Sequence, residues 1–145
     1  MGCDGTPGSG RALRLDPYAL PARYLARDEG ADGNIREIEL DRSRVMFKRA
    51  VRGIPMKVGV PVSEFRGVTL RALPPQGQEP AAVAVTLEHG DTGLSVPLYV
   101  ASEGDDALAQ WKCWGRVLGV PLLVVESDGS LREPFHRIGR IGIGP

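Results

Sequence analysis

Histidines, acids and cysteines are the side chains most able to carry chemistry here, and the chain spaces them poorly for it. Nucleophilic catalysis needs a Ser, Cys or Thr beside a base, usually His. The 145 residues contain two histidines, His89 in a polar turn and His136 near the end. No Gly-x-Ser-x-Gly elbow surrounds any serine. Acid–base work could use paired carboxylates. Glu37 and Glu39 would share one strand face and read as a solvated sheet surface, while Asp105 and Asp106 open a helix and read as its capping acids. Cys3 and Cys113 are the two cysteines; with two histidines they form no metal-ligand spacing, and without more cysteines they form no disulfide framework. The stretch Gly139-Arg-Ile-Gly142-Ile-Gly144 is glycine-rich, but it does not open a helix after a clear strand, so it is no dinucleotide fingerprint, and there is no Walker loop. No cofactor and no metal are implied. Met1-Gly2-Cys3 fits the loose acylation pattern, but Asp4 follows it and stable anchoring needs two signals.

One constellation points to a ligand. Arg23 and Arg27 form an Arg-x3-Arg, and Asp41 and Ser43 an Asp-x-Ser, both expected just ahead of β strands. The pair resembles the cyclic-di-GMP-binding PilZ domains, small β barrels whose Arg-x3-Arg is followed by Asp/Asn-x-Ser-x-x-Gly. The resemblance implies that Arg23 and Arg27 clamp phosphates or stack on guanine, with Asp41 and Ser43 completing the site, since planar guanidiniums suit bidentate phosphate contact. Met46 stands where that motif has its glycine.

The elements that would position these residues are mostly strands. Ile38 and Leu40 alternate with acids; Val45, Phe47, Arg49 and Val51 alternate with Met46, Lys48 and Ala50. Gly53-Ile54-Pro55 breaks the run. Met56, Val58, Val60 and Val62 then keep strict period two, as do Val68, Leu70 and Ala72; Val83, Val85 and Leu87; and Leu94, Val96, Leu98 and Val100. Short alternating runs joined by turn residues predict antiparallel pairing. Pro61 and Pro97 lack donors and belong at edges or bulges. Asp16 is expected to cap a brief helical turn that Pro21 limits. From Asp105 to Leu118 the period becomes helical, with Leu108, Trp111, Gly115 and Leu118 on one face, Trp114 flanking it, and Gly119 and Pro121 ending the run. Leu122 to Val125 is a buried strand.

Residues 1–14 read as a disordered tail, 15–135 as one domain, and 136–145 as a tail or loose edge strand. The expected fold is α+β: a curled antiparallel sheet or small barrel of about six or seven strands, packed by one C-terminal amphipathic helix at 105–118, PH-like by analogy. With 18 basic and 18 acidic residues the formal charge is zero, so no basic stripe points to nucleic acid. No apolar run is long enough for a membrane span and no signal peptide opens the chain, so the expected compartment is the cytoplasm.

The stretches RLDPYALPARY, ELDRSRVMFKRAVRGIPMKVGVPVSEFRGVTLRAL, LSVPLYVA and QWKCWGRVLGVPLLVVESDGSLREPF resemble an uncharacterised alphaproteobacterial family known only as a domain of unknown function. That resemblance implies a bacterial cytoplasmic protein and no particular reaction. The expected function is therefore a small non-catalytic binding or regulatory domain with a protein partner; the alternative is a PilZ-like cyclic-dinucleotide receptor.

Overall fold

The computed structural model describes residues 13–102 and 104–134. In chain order the elements are β1 (Leu13–Arg14), β2 (Ala22–Arg27), β3 (Ile35–Leu40), β4 (Arg44–Val51), β5 (Ile54–Pro61), β6 (Gly67–Leu73), β7 (Ala82–Glu88), β8 (Val96–Ala101), α1 (Gly104–Leu118), β9 (Leu122–Val125) and β10 (Leu131–Arg132). The α+β class and the curled antiparallel character are as the patterning predicts. The strands, however, divide between two sheets: a four-stranded one in the order β2-β3-β4-β5, and a six-stranded one in the order β1-β8-β7-β6-β9-β10.

The four-stranded sheet is a simple meander. Its β4–β5 hairpin turns on Arg52 and Gly53, whose φ values of 54° and 77° are those of the tight turn that matches strand twist. Pairing then runs without a slip from Val51↔Ile54 to Arg44↔Pro61. Gly53-Ile54-Pro55, expected to break the chain, is thus a turn residue and the first two residues of a strand. Asp32 secures the turn from a neighbouring loop. Its carboxylate accepts from the Arg52 and Gly53 amides at 3.0 and 2.8 Å, donors that such a turn leaves free. These bonds hold the Asp32 carboxyl below its usual pKa.

The six-stranded sheet is antiparallel from β1 to β6, and β9 then joins β6 in parallel. Helix α1 makes the crossover that a parallel pairing requires. Since β9 and β10 follow it, the helix is internal rather than C-terminal. Leu13 and Arg14, expected in the tail, pair with Val100 and Tyr99 of β8. The rest of the expected N-terminal tail, Met1 to Cys3 included, and the expected tail at 136–145 lie outside the described residues. Both flagged prolines sit where a missing donor is harmless: Pro61 ends an edge strand, and Pro97 borders the register shift between β7 and β8.

The larger of two buried apolar clusters among the described residues joins both sheets and the helix. Tyr24, Ile38, Leu40, Val45, Phe47 and Val60 come from the small sheet; Val68, Val85, Leu87, Val96 and Leu98 come from the large one; α1 adds Ala107, Trp111, Trp114 and Leu118. The helix bounds match the expected 105–118 to within a residue. Its buried stripe is rotated from the expected one. Trp114, expected at the flank, is fully buried, while Leu108, expected in the core, is 42% exposed. The Trp111 indole explains part of this rotation: its Nε1–H donates to the Val68 carbonyl at 2.8 Å, fixing which way the helix faces β6. The capping role expected of Asp105 falls on a side chain outside the described residues. Asp16 accepts from the Tyr18 amide at 2.9 Å in a turn, not a helix. Among the described residues no helix is long and apolar enough to cross a membrane.

Candidate functional site

Arg23 and Arg27 lie within β2, not ahead of it, and both point away from the core. Arg23 reaches Glu39 on β3 at 3.7 Å, with its side chain largely in solvent. Asp41 and Ser43 sit in the β3–β4 turn, where the Asp41 side chain accepts from the Arg42 amide at 2.8 Å. Asp41 and Ser43 do come together, lining a depression of about 260 Å³ with Glu39, Arg44, Met46 and Pro61. Arg27 is not among them. It lines a separate depression of about 500 Å³ with Asp28, Glu29 and Arg36. Four residues along a strand span about 13 Å, so the two arginines stand at opposite ends of β2. The depression holding Asp41 and Ser43 carries two carboxylates, and Met46 lies across Gly59, its methyl 3.3 Å from where a Cβ on Gly59 would be.

Several other polar groups are engaged within the scaffold. His89 accepts the Asp91 amide at Nδ1, 2.9 Å away, and meets the Phe65 ring edge-on at 5.1 Å. It shapes its turn. His136 lies outside the described residues. Arg36 forks onto the Gly93 and Ser95 carbonyls at 2.6 and 3.2 Å and lies over the Phe47 ring, tying the small sheet to the β7–β8 connection. Burial lowers its pKa. Tyr24 donates to the Pro97 carbonyl at 2.7 Å, a second tie between the sheets, and burial pushes its hydroxyl pKa far up. Glu88 is buried on the large sheet beside the Thr69 hydroxyl at 3.4 Å and Arg71 at 3.7 Å. Among the described residues no group of His, Cys, Asp and Glu could hold a metal ion.

Strand β5 is different. It is an edge of the small sheet, and among the described residues no strand pairs with its outer side. Its even-numbered side chains face the core side of the sheet, yet only Val60 is covered there. Ile54, Met56 and Val58 are 63%, 48% and 47% exposed. The two-residue turn fixes the direction of the backbone groups. In such a hairpin the closing pair exchanges both bonds, and bonded pairs then alternate. Ile54, Met56, Val58 and Val60 therefore bond to β4, and the groups of residues 55, 57, 59 and 61 point outward. Pro55 and Pro61 have no N–H to offer, so the open donors of this edge are on Lys57 and Gly59. The alternation of Met56, Val58 and Val60 predicts a half-buried strand, and it does not say that the cover stops at Val60. The two prolines at outward positions are the sequence signal of an edge.

A two-sheet α+β domain with an open, apolar edge strand and no assembled catalytic constellation among its described residues is thus the class to which this chain belongs. The model for a family of unknown function, DUF6101, matches residues 7–143, and the chain belongs to that family. No curated protein and no solved structure matches the chain.

Proposed function

We propose that this protein is a non-catalytic binding domain of the bacterial cytoplasm whose partner is a protein strand laid along β5. The observation that supports the reading is the coincidence, on one edge, of open backbone donors at Lys57 and Gly59 with the uncovered side chains of Ile54, Met56 and Val58. Strand addition uses both parts: main-chain bonds supply affinity, and alternate side chains supply specificity. Exposed long apolar edges are normally blunted, and here the prolines restrict pairing to a short central window instead of abolishing it.

The test is affinity capture from extract of the native cell with wild-type protein and with Val58→Lys, which places a charge on the apolar strip. The reading expects a set of proteins held by the wild type and lost from the variant, with the variant's circular dichroism unchanged. An identical set from both proteins overturns it. A thermal-shift screen against cyclic dinucleotides should give no shift. At about 100 times its dissociation constant a true ligand adds about 2.7 kcal/mol, so a shift of several degrees that vanishes in Arg23→Ala would make the domain a nucleotide receptor instead.

A further inference from the structure

We infer that the strand taken up by β5 is β5 of a second copy of this chain, paired antiparallel about a two-fold axis at Val58. The inference rests on the reading of β5 as the binding edge and names its occupant.

The argument is one of self-complementarity. In an antiparallel pair, bonded residues must both turn their backbone groups to the partner. On β5 those are residues 55, 57, 59 and 61, with donors on Lys57 and Gly59 alone. A two-fold axis at Val58 sets Lys57 of one chain opposite Gly59 of the other, and the reverse. Each such pair can exchange both bonds, so every open donor finds a carbonyl. Pro55 and Pro61 then face one another at the two ends of the ladder, so the missing donors coincide there and both central pairs keep both their bonds.

The neighbouring registers fail on charge or on proline. An axis at Lys57 sets the two ammonium groups directly opposite, which destabilises a pair, and it sets Pro55 against Gly59 within the bonded window. An axis at Gly59 sets Lys57 against Pro61, so a proline ring meets the Lys57 carbonyl. A slip by a single residue would oppose inward-turned groups to outward ones.

The side chains agree with the same axis. On the core side Val58 meets Val58 of the other copy, and Met56 meets Val60. These are non-bonded pairs, in which side chains approach most closely. The uncovered strip of each chain becomes the cover of the other. On the opposite face the long Lys57 side chain meets Gly59, across which Met46 lies, so its methylene stem packs on an apolar side chain. A two-fold contact of this kind is closed: each copy's β5 edge is consumed by the other, so the contact gives a dimer and not a fibre.

The experiment uses the whole chain. Sedimentation from about 10 µM to about 1 mM should show monomer converting to dimer, the range expected for a short, weak contact. Lys57→Pro, which removes an outward donor that β4 does not use, should stay monomeric with an unchanged circular dichroism spectrum. The register is read by cysteine cross-linking in a Cys3→Ser, Cys113→Ser background with oxidised glutathione as the electron acceptor. In a non-bonded pair the Cα atoms stand about 4.5 Å apart, within disulfide range. Val58→Cys should therefore form a covalent dimer at least tenfold faster than Lys57→Cys. A wild-type protein monomeric at every concentration overturns the inference, as does Lys57→Cys cross-linking as fast as Val58→Cys. If the protein is monomeric but Val58→Lys still loses proteins from extract, self-pairing is wrong and strand binding stands. If capture is also unaffected, both are wrong.

Discussion

Replacing Gly67 by Ala should loosen the parallel seam between β6 and β9 and cost the protein a large part of its stability. Gly67 opens β6 at a φ of 155°, a region that side chains rarely adopt. An added Cβ would stand 2.4 Å from the Pro121 carbonyl oxygen and 3.1 Å from Leu123 Cδ1. The leucine tip can rotate away, but the oxygen is backbone and is already held by the Val68 amide at 2.9 Å. To relieve the contact β9 must retreat, taking with it the Val68↔Leu122 and Thr69↔Leu123 pairing.

The strain of an unfavourable φ is about 1–3 kcal/mol, and crowding in a packed interior adds about 1–3 kcal/mol. Together these give roughly 4 kcal/mol, against a total stability of about 5–15 kcal/mol for a domain. At about 2–4 °C per kcal/mol for a chain of this size, Tm should fall by about 8–16 °C. Gly53→Ala is the control. Gly53 also has a positive φ, 77°, but a Cβ there meets nothing within 4 Å. It should show the strain alone, about 1–2 kcal/mol. Thermal and urea unfolding followed by circular dichroism would measure both variants. A Gly67→Ala loss no larger than that of Gly53→Ala would refute the steric argument.

Two further perturbations separate the helix face and the hairpin clamp. Leu108→Gln, at an exposed position, should change stability by no more than about 0.5 kcal/mol, whereas Trp114→Ala should lose about 3–5 kcal/mol; equal losses in urea unfolding would contradict the rotated buried stripe. Asp32→Asn removes the charge that the Arg52 and Gly53 amides stabilise. Because the folded carboxyl pKa is below the usual 3.8, its contribution is fully present above that value and is lost as pH falls through the folded value. The wild type should therefore exceed Asp32→Asn in stability near neutral pH, with the difference vanishing in acid; a difference that persists below the folded value would show that the charge is not its source.

Some of this fold is local and therefore written in the sequence. The period of two in Val45 and Phe47, or in Val83, Val85 and Leu87, follows from how a strand alternates its side chains, and these residues are strands whatever lies opposite them. The helix bounds are local too: the period changes near Asp105, and Gly119 with Pro121 allows no further turn. The placement of Pro61 and Pro97 at an edge and at a register shift follows from their missing donors. Other features depend on what distant segments bring near. Leu108 and Trp114 are both compatible with an amphipathic helix, and contacts with distant strands, the Trp111 bond to Val68 among them, set which is buried. Nothing near Leu122 indicates that its strand runs parallel to β6, because that pairing spans the whole β7–β8–α1 connection.

The sites divide in the same way. The spacing of Arg23 and Arg27 is consistent with a phosphate clamp on a loop, but the two residues stand at opposite ends of one strand, and only the fold makes that segment a strand. Residues 56, 58 and 60 carry one continuous alternation. Sequence alone determined that their side chains share a face; the tertiary structure decided that the cover of that face ends at Val60 and leaves Met56 and Val58 open, because burial depends on the packing of segments far apart in the chain, and a local pattern carries no information about where that packing stops.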